Sequence, residues 1–377
     1  MDINELIRVA FESKASDLHL KAGSHPCIRV NGDLQLLLQF PSLTKADMDT
    51  LTASVTTERQ MRKFQETGDL DVSYGVLGLG RFRVNIARQR GSTAMALRVI
   101  PPFAGTFEDL HLPRVLERFT EEHRGMVLVT GTTGSGKTTA LTAMIDRINA
   151  KRSDHIVTIE DPIEFLHRDQ RSFVTQREVT LDTAGFGEAL RAALRQDPNV
   201  ILLGEMRDRE TIETALIAAE TGHLVFSTVH TLDATETVQR IIGVFPPADQ
   251  HLIRLQLAAT LRGVVSLRLL RRADGNGRVP AVEVLIATEY IRDCIINPEK
   301  THMIREALAA GTSQYGMQTF DQSIYDLYSQ KLITLEEALQ QATRPDEFKL
   351  RIAGIRSTAD ALFEQMDRHV KEGVKRF

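Results

Sequence analysis

Gly131-Thr132-Thr133-Gly134-Ser135-Gly136-Lys137-Thr138 fits the pattern G-x-x-x-x-G-K-[ST] and carries the most specific chemistry in this 377-residue chain. Glycines at these spacings let the backbone curl until successive N–H groups point inward, a concavity that suits phosphate oxygens. A helix starting at the same place adds partial positive charge. Lys137 is placed to reach β- and γ-phosphates, and the Thr138 hydroxyl is placed to ligate Mg²⁺. Thr139 opens the following helix-forming run and joins the nucleotide-contacting set. The context agrees: the apolar run Met126-Val127-Leu128-Val129 precedes the loop and a helix-forming run, Thr139 to Asn149, follows it. A Gly-rich turn with a surface lysine needs neither flank. ATP with Mg²⁺ is the expected ligand, since no Asn-Lys-x-Asp guanine-reading motif is present.

Three further constellations could serve that ligand. Val200-Ile201-Leu202-Leu203-Gly204-Glu205 is an apolar strand ending in a carboxylate. An acid there polarises an attacking water. Gly204 occupies the usual aspartate position, so Glu205 is the acid left to act, with any contact to the metal running through water. Ile159-Glu160-Asp161-Pro162-Ile163-Glu164 clusters three acids at another strand end. Such acids repel unless water, a cation or a basic partner offsets them, and a metal-bound nucleotide is one such partner. A solvated acidic turn is the plainer alternative. Gly222 to Thr231 places His223 and His230 at the two ends of a strand. Either could donate a hydrogen bond to a γ-phosphate, or sit satisfied in a core.

Gly131, Glu160, Glu205 and His230 all fall at the C-terminal ends of expected parallel strands. In open α/β sheets ligands bind at that edge. The strands are the apolar runs Met126–Val129, Ile156–Ile159, Val200–Leu203 and Leu224–Ser227. Their alternation with helical stretches predicts a parallel sheet covered on both faces. From about Glu289 onward the pattern is helical, with a capping-box signature at Thr334-Leu335-Glu336-Glu337.

The first hundred residues are patterned differently. Ile3, Leu6, Ile7 and Ala10 share one side of an expected helix over Asp2 to Ser13. Asn31-Gly32, inside Ile28 to Leu34, is a hairpin signal. In Arg81 to Ile86, Phe82, Val84 and Ile86 face one way while Arg81, Arg83 and Asn85 face the other. A strand over Ala94 to Ile100 pairs with it across Arg90-Gly91-Ser92. The expected organisation is a small α+β domain over 1–100, a Pro- and Gly-containing linker over 101–112 that begins Pro101-Pro102-Phe103, and an α/β nucleotide-binding domain over 113–377.

Composition excludes several classes. A net charge of −4 and a pI near 6.3 give no reason to expect nucleic acid as partner. Cys27 and Cys294 form no Cys-x-x-Cys pair, so neither a disulfide framework nor a zinc knuckle is expected, and reduced thiols in the cytoplasm are. No run approaches the ~20 apolar residues of a membrane helix, and the start, MDINELIRVAFESK, does not read as a signal peptide.

Taken together these motifs resemble the type IV pilus retraction ATPases, the PilT family within the secretion ATPases, over essentially the whole length. Ala15-Ser16-Asp17-Leu18-His19-Leu20 is similar to the start of that family's N-terminal PAS-like domain. Gly131 to Thr138 is similar to its Walker A, Glu160 to Glu164 to its acidic box, Gly204-Glu205-Met206-Arg207-Asp208 to its atypical Walker B, and His223 with His230 to its His box. Gly316-Met317-Gln318-Thr319-Phe320-Asp321 is similar to its C-terminal signature. The resemblance implies a RecA-like core and a homohexameric ring. It implies ATP bound between protomers and force applied to an inner-membrane pilus platform protein (PilC-like) from the cytoplasmic face. It implies Glu205 as catalytic glutamate, Glu164 and His230 as essential to turnover, and N-terminal arginines at the phosphates. Arg83 and Arg98 are the candidates, against the plainer reading of a charged strand face.

The family's Ala-Ile-Arg-Asn-Leu-Ile-Arg-Glu motif corresponds here to Tyr290 to Asn297. Ile291, Arg292 and Ile295 remain, while the second arginine and final glutamate do not. An accessory, PilU-like retraction role therefore stays open. Pilus-assembly and type II secretion ATPases usually add an N-terminal domain and a four-cysteine zinc site, neither of which is expected here. A nucleic-acid translocase would want a basic pore, and a non-catalytic scaffold would not need Lys137, Thr138 and Glu205 together.

Overall fold

The computed structural model describes residues 1–30, 32–76, 78–100 and 104–353. Asn31 of the hairpin signal, Pro101-Pro102-Phe103 of the linker, and 354–377 of the C-terminal region lie outside the described residues. The chain divides into two compact units: residues 1–103 with 164–166, and 104–163 with 167–377.

The first unit is a six-stranded antiparallel sheet in the order β3-β2-β1-β6-β5-β4. Its strands are β1 (Asp17–Lys21), β2 (Cys27–Val30), β3 (Asp33–Leu36), β4 (Asp69–Val76), β5 (Gly80–Gln89) and β6 (Ser92–Ile100). The helix Ile3–Glu12 buries Ile3, Leu6, Ile7 and Ala10, the residues its periodicity marked. Each fully buried Ile or Leu stabilises by about 1.5–3 kcal/mol. Alternation on β5 buries Phe82, Val84 and Ile86 and exposes Arg83 and Asn85. β5 and β6 meet at Gln89↔Ser92 across Arg90-Gly91, both at positive φ (50° and 76°), the geometry that matches strand twist in a two-residue hairpin.

The second unit holds a seven-stranded sheet in the order β13-β12-β7-β11-β10-β8-β9. Its strands are β7 (Gly125–Thr130), β8 (His155–Glu160), β9 (Phe173–Glu178), β10 (Val200–Leu203), β11 (Leu224–Val229), β12 (Leu261–Arg271) and β13 (Arg278–Ile286). Every neighbouring pair from β12 to β9 is parallel, and β13 adds an antiparallel edge. All residues of β7, β10 and β11 are buried, as expected of strands covered on both faces.

One core layer packs the helices Phe186–Ala193, Arg209–Glu220, Ala234–Gly243 and Gln250–Thr260 on one face; the other packs the helix Lys137–Lys151 on the opposite face. From Glu289 the chain is helical through Ile352, with short turns between. The box expected at Thr334 is half formed. Thr334 accepts from the Glu337 N–H, but the Glu337 carboxylate accepts from the backbone N–H of Arg271 at 3.0 Å instead of returning to Thr334. Among the described residues no helix is long and apolar enough to cross a membrane.

Candidate nucleotide site

Parallel register sets which ends coincide. Thr130 of β7 pairs with Val229 of β11, Ser227 of β11 with Leu203 of β10, and Leu203 with Ile159 of β8. Gly131, His230, Glu205 and Glu160 therefore leave the sheet along one edge. With strands spaced about 4.8 Å apart, Glu205 stands roughly two spacings, about 10 Å, from the start of the loop.

The loop from Gly131 to Gly136 is shaped by backbone that only glycine adopts freely: Gly131, Gly134 and Gly136 have φ of 139°, 78° and 95°. A Cβ on Gly131 would lie 2.5 Å from the Leu267 carbonyl oxygen and 2.5 Å from Ser135 Oγ. Lys137 is buried, and its ammonium donates to the carbonyls of Gly131 and Thr132, each at 3.0 Å. The helix Lys137–Lys151 starts at Gly136 with no side-chain cap and no acidic residue in its first turn. Ser135 Oγ is buried without a hydrogen-bond partner. An uncapped helix N-terminus, a buried ammonium and an unsatisfied hydroxyl together fit a phosphate chain. Thr132, Thr133 and Gly134 form the exposed rim, while Thr138 and Thr139 are half-buried on the first turn.

Glu205 is held from both sides. The Gly204 N–H donates to Ile159 O at 2.8 Å, the Met206 N–H to Thr228 O at 3.1 Å, and the Thr228 hydroxyl to Gly204 O at 2.6 Å. Its carboxylate Oε2 lies 2.8 Å from Arg207 Nε and 3.5 Å from His230 Nε2. Gly204 explains the missing aspartate: a Cβ there would lie 3.2 Å from Ile159 O and 3.4 Å from Glu160 Cα. Asp208 is occupied as the N-cap of the helix Arg209–Glu220, accepting from the Thr211 N–H and hydroxyl.

The acidic cluster separates into different environments. Glu160 is 6% exposed, and its Oε1 accepts from Thr158 at 2.7 Å and Gln176 at 3.2 Å. Asp161 and Glu164 are exposed. His223 does not join the edge that holds His230. It precedes β11, and its Nδ1 is 2.9 Å from the Ala218 carbonyl. Six strand residues separate the two histidines, about 20 Å of extended chain.

In the first unit Arg83 and Arg98 face each other across β5 and β6 and are both exposed. Asp17 accepts from Arg98 Nε at 2.9 Å. Burial alone would raise the Asp17 carboxyl, but hydrogen bonds from Ser16 and Arg98 hold it below the usual range. No role for Arg207 is legible in the sequence; its signal is adjacency to Glu205, which becomes meaningful only once the strand end is placed.

A mainly parallel sheet with a glycine-rich phosphate cradle after the interior strand β7, and a carboxylate two strands away after β10, defines a P-loop nucleotide-binding domain of RecA-like type. The family model for type II/IV secretion system proteins matches residues 1–368, and the chain belongs to that family. It is 44% identical over 348 residues to the type IV pilus retraction ATPase PilT of Pseudomonas aeruginosa, covering 92% of this chain and 100% of that one. It is 40% identical over 364 residues to the type IV pilus ATPase PilU of the same organism, covering 96% and 94%. A crystal structure of the pilus retraction motor PilT with bound ADP superposes with a TM-score of 0.85 at 47% identity, covering 92% of this chain and 98% of that one.

Proposed function

We propose that this chain is an ATP-hydrolysing motor that powers type IV pilus retraction and twitching motility. It works as a homohexamer at the cytoplasmic face of the inner membrane, pulling on a PilC-like platform protein. The observation that carries the reading is the placement of Glu205 at the sheet edge that also bears the phosphate loop, with Arg207 and His230 both approaching its carboxylate.

Lys137, the inward loop N–H groups and the helix N-terminus bind the β- and γ-phosphates of ATP. Thr138, half-buried on the first turn of the helix, would hold Mg²⁺ through its hydroxyl, and the ion would supply positive charge to the phosphates. Glu205 takes a proton from the attacking water as its oxygen bonds to the γ-phosphorus. The bond from that phosphorus to the bridging oxygen breaks, and ADP and phosphate leave. His230 orients Glu205 through Oε2. Asp161 and Glu164 are exposed and would offer negative charge to a metal-bound nucleotide, while Glu160 is tied to the strands by Thr158 and Gln176. Arg83 and Arg98 offer guanidinium forks to the phosphates of a neighbouring protomer. His223 has no part in this step.

An accessory, PilU-like retraction role is the second reading, favoured by the departures in Tyr290 to Asn297. Deletion in the source organism tests both. Long, unretracted pili with lost twitching support the main reading, retained twitching supports the accessory one, and bald cells point to pilus assembly instead.

A further inference from the structure

Glu283 is a buried carboxylate that the phosphate chemistry leaves unused. It lies on β13 and is 6% exposed. Its Oε1 accepts from the Ala234 N–H at 2.9 Å and from the Ser266 hydroxyl at 3.4 Å. Both contacts lead to the site. Ala234 opens the helix Ala234–Gly243, directly after the segment 230–233 that begins with His230. Ser266 faces Glu283 across β12 and β13, and on its other side is registered with Thr130, the residue before Gly131. The next residue, Leu267, presents the carbonyl that a Cβ on Gly131 would strike.

We propose that Glu283 is a positioning residue that ties segment 230–233, and hence His230, to the strands beneath the phosphate loop, with the charge on its carboxylate setting how firmly that segment is held. This rests on the ATPase reading above. The Ala234 N–H is one of the donors a helix start leaves unpaired, and an ionised acceptor there bonds more strongly than a neutral one. Burial pushes the Glu283 carboxyl up to about 7, and Asp233 adds to the rise, while Arg268 and Arg305 oppose it. Those three charged groups face it from the turn before the helix, from β12 and from the helix Ile304–Ala310; Arg305 also lies 3.8 Å from Asp233. Above pH 7 the tether is charge-assisted, and below it the carboxyl is neutral.

The test compares kcat of the full chain with that of Glu283→Gln across pH 6 to 8, because the ratio cancels the titration of ATP itself. The expected ratio is close to one at pH 6 and rises to about 10 at pH 8, with nucleotide affinity unchanged. Glu283→Asp, which restores a charge, is expected to recover the pH dependence in part. A ratio independent of pH overturns the proposal, as does a change in affinity of the same size as the change in kcat. A second measurement needs neither a variant nor turnover: the hydrogen-exchange protection factor of the Ala234 amide is expected to be higher at pH 8 than at pH 6. Equal protection removes the charge-dependent tether. Because this arm does not depend on ATP hydrolysis, it separates failure of the tether from failure of the motor reading.

Discussion

Arg207 Nε stands 2.8 Å from Glu205 Oε2, the same oxygen that His230 Nε2 approaches to 3.5 Å. Two side chains from different segments thus converge on one carboxylate oxygen, and neither contact uses Oε1. Arg207 belongs to the turn after β10, and His230 to the turn after β11. A carboxylate at a strand end otherwise swings freely on three side-chain torsions. Pinning one oxygen removes much of that freedom before water arrives, which is the preorganisation a water-activating base requires.

Because Arg207 and His230 restrain the same atom, their losses are expected to overlap. Arg207→Ala and His230→Ala should each lower kcat by about 10-fold or more, with the double variant well short of the product of the two. A double-mutant cycle on kcat reads the coupling. Strict multiplicativity would mean the two side chains act on different steps.

The loop glycines should differ in tolerance. Gly131→Ala places a Cβ against backbone at 2.5 Å, whereas Gly134→Ala meets nothing within 4 Å and carries only the strain of its φ of 78°. The first is expected to weaken ATP binding severely and lower the thermal midpoint; the second should cost about 1–2 kcal/mol. Lys137→Ala should raise the Kd for ATP about 10²-fold. Calorimetric titration checks all three, and unchanged affinity in Lys137→Ala would take the loop out of the site.

Gly204→Asp, which restores the acid common at that position, should lower the thermal midpoint and give no gain in turnover. Its Cβ would press on Ile159 O and Glu160 Cα, and its charge would stand beside the buried Glu160. A destabilisation of about 1–3 kcal/mol is expected. A stable and faster variant would show that the strand end has room after all.

The Glu283 tether should carry a stability cost with a defined sign. Its carboxyl rises from 4.5 to about 7 on folding. Between those values the native state holds a proton that the unfolded chain has lost, so stability falls as pH rises through the window. Below pH 4.5 there is no penalty, and above pH 7 it is complete, on the order of 3 kcal/mol. The thermal midpoint of Glu283→Gln relative to the wild type should therefore climb from pH 4.5 to 7 and then level off. A flat difference across that window would contradict the raised value.

What was legible in the sequence was whatever depends on local periodicity or on a loop's own glycines. Ile3, Leu6, Ile7 and Ala10 marked their helix face, Val200 to Leu203 marked a strand to the residue, and the phosphate loop announced itself through spacing. What escaped depends on neighbours distant in sequence. The β12–β13 hairpin pairs along the whole of β13, yet its only local mark is the turn Asp274-Gly275-Asn276-Gly277 between its strands. Glu283 is an acid within an apolar run, and its purpose shows only when Ala234 and Ser266 are beside it. The sequence sets His223 and His230 at opposite ends of their strand, but the partner each side chain meets, the Ala218 carbonyl for one and Glu205 for the other, depends on the fold. Glu337 fits a capping box by spacing, but the unpaired N–H of Arg271 claims its carboxylate.

The central claim is that Glu205 activates water at a phosphate site whose grip does not depend on it. The most direct measurement is ATP affinity and single-turnover hydrolysis in Glu205→Gln, side by side with the wild type. The account predicts a Kd for ATP within about 3-fold of the wild type and hydrolysis slowed about 10²–10⁴-fold. Hydrolysis at a near-normal rate, with ATP bound as tightly, would contradict it.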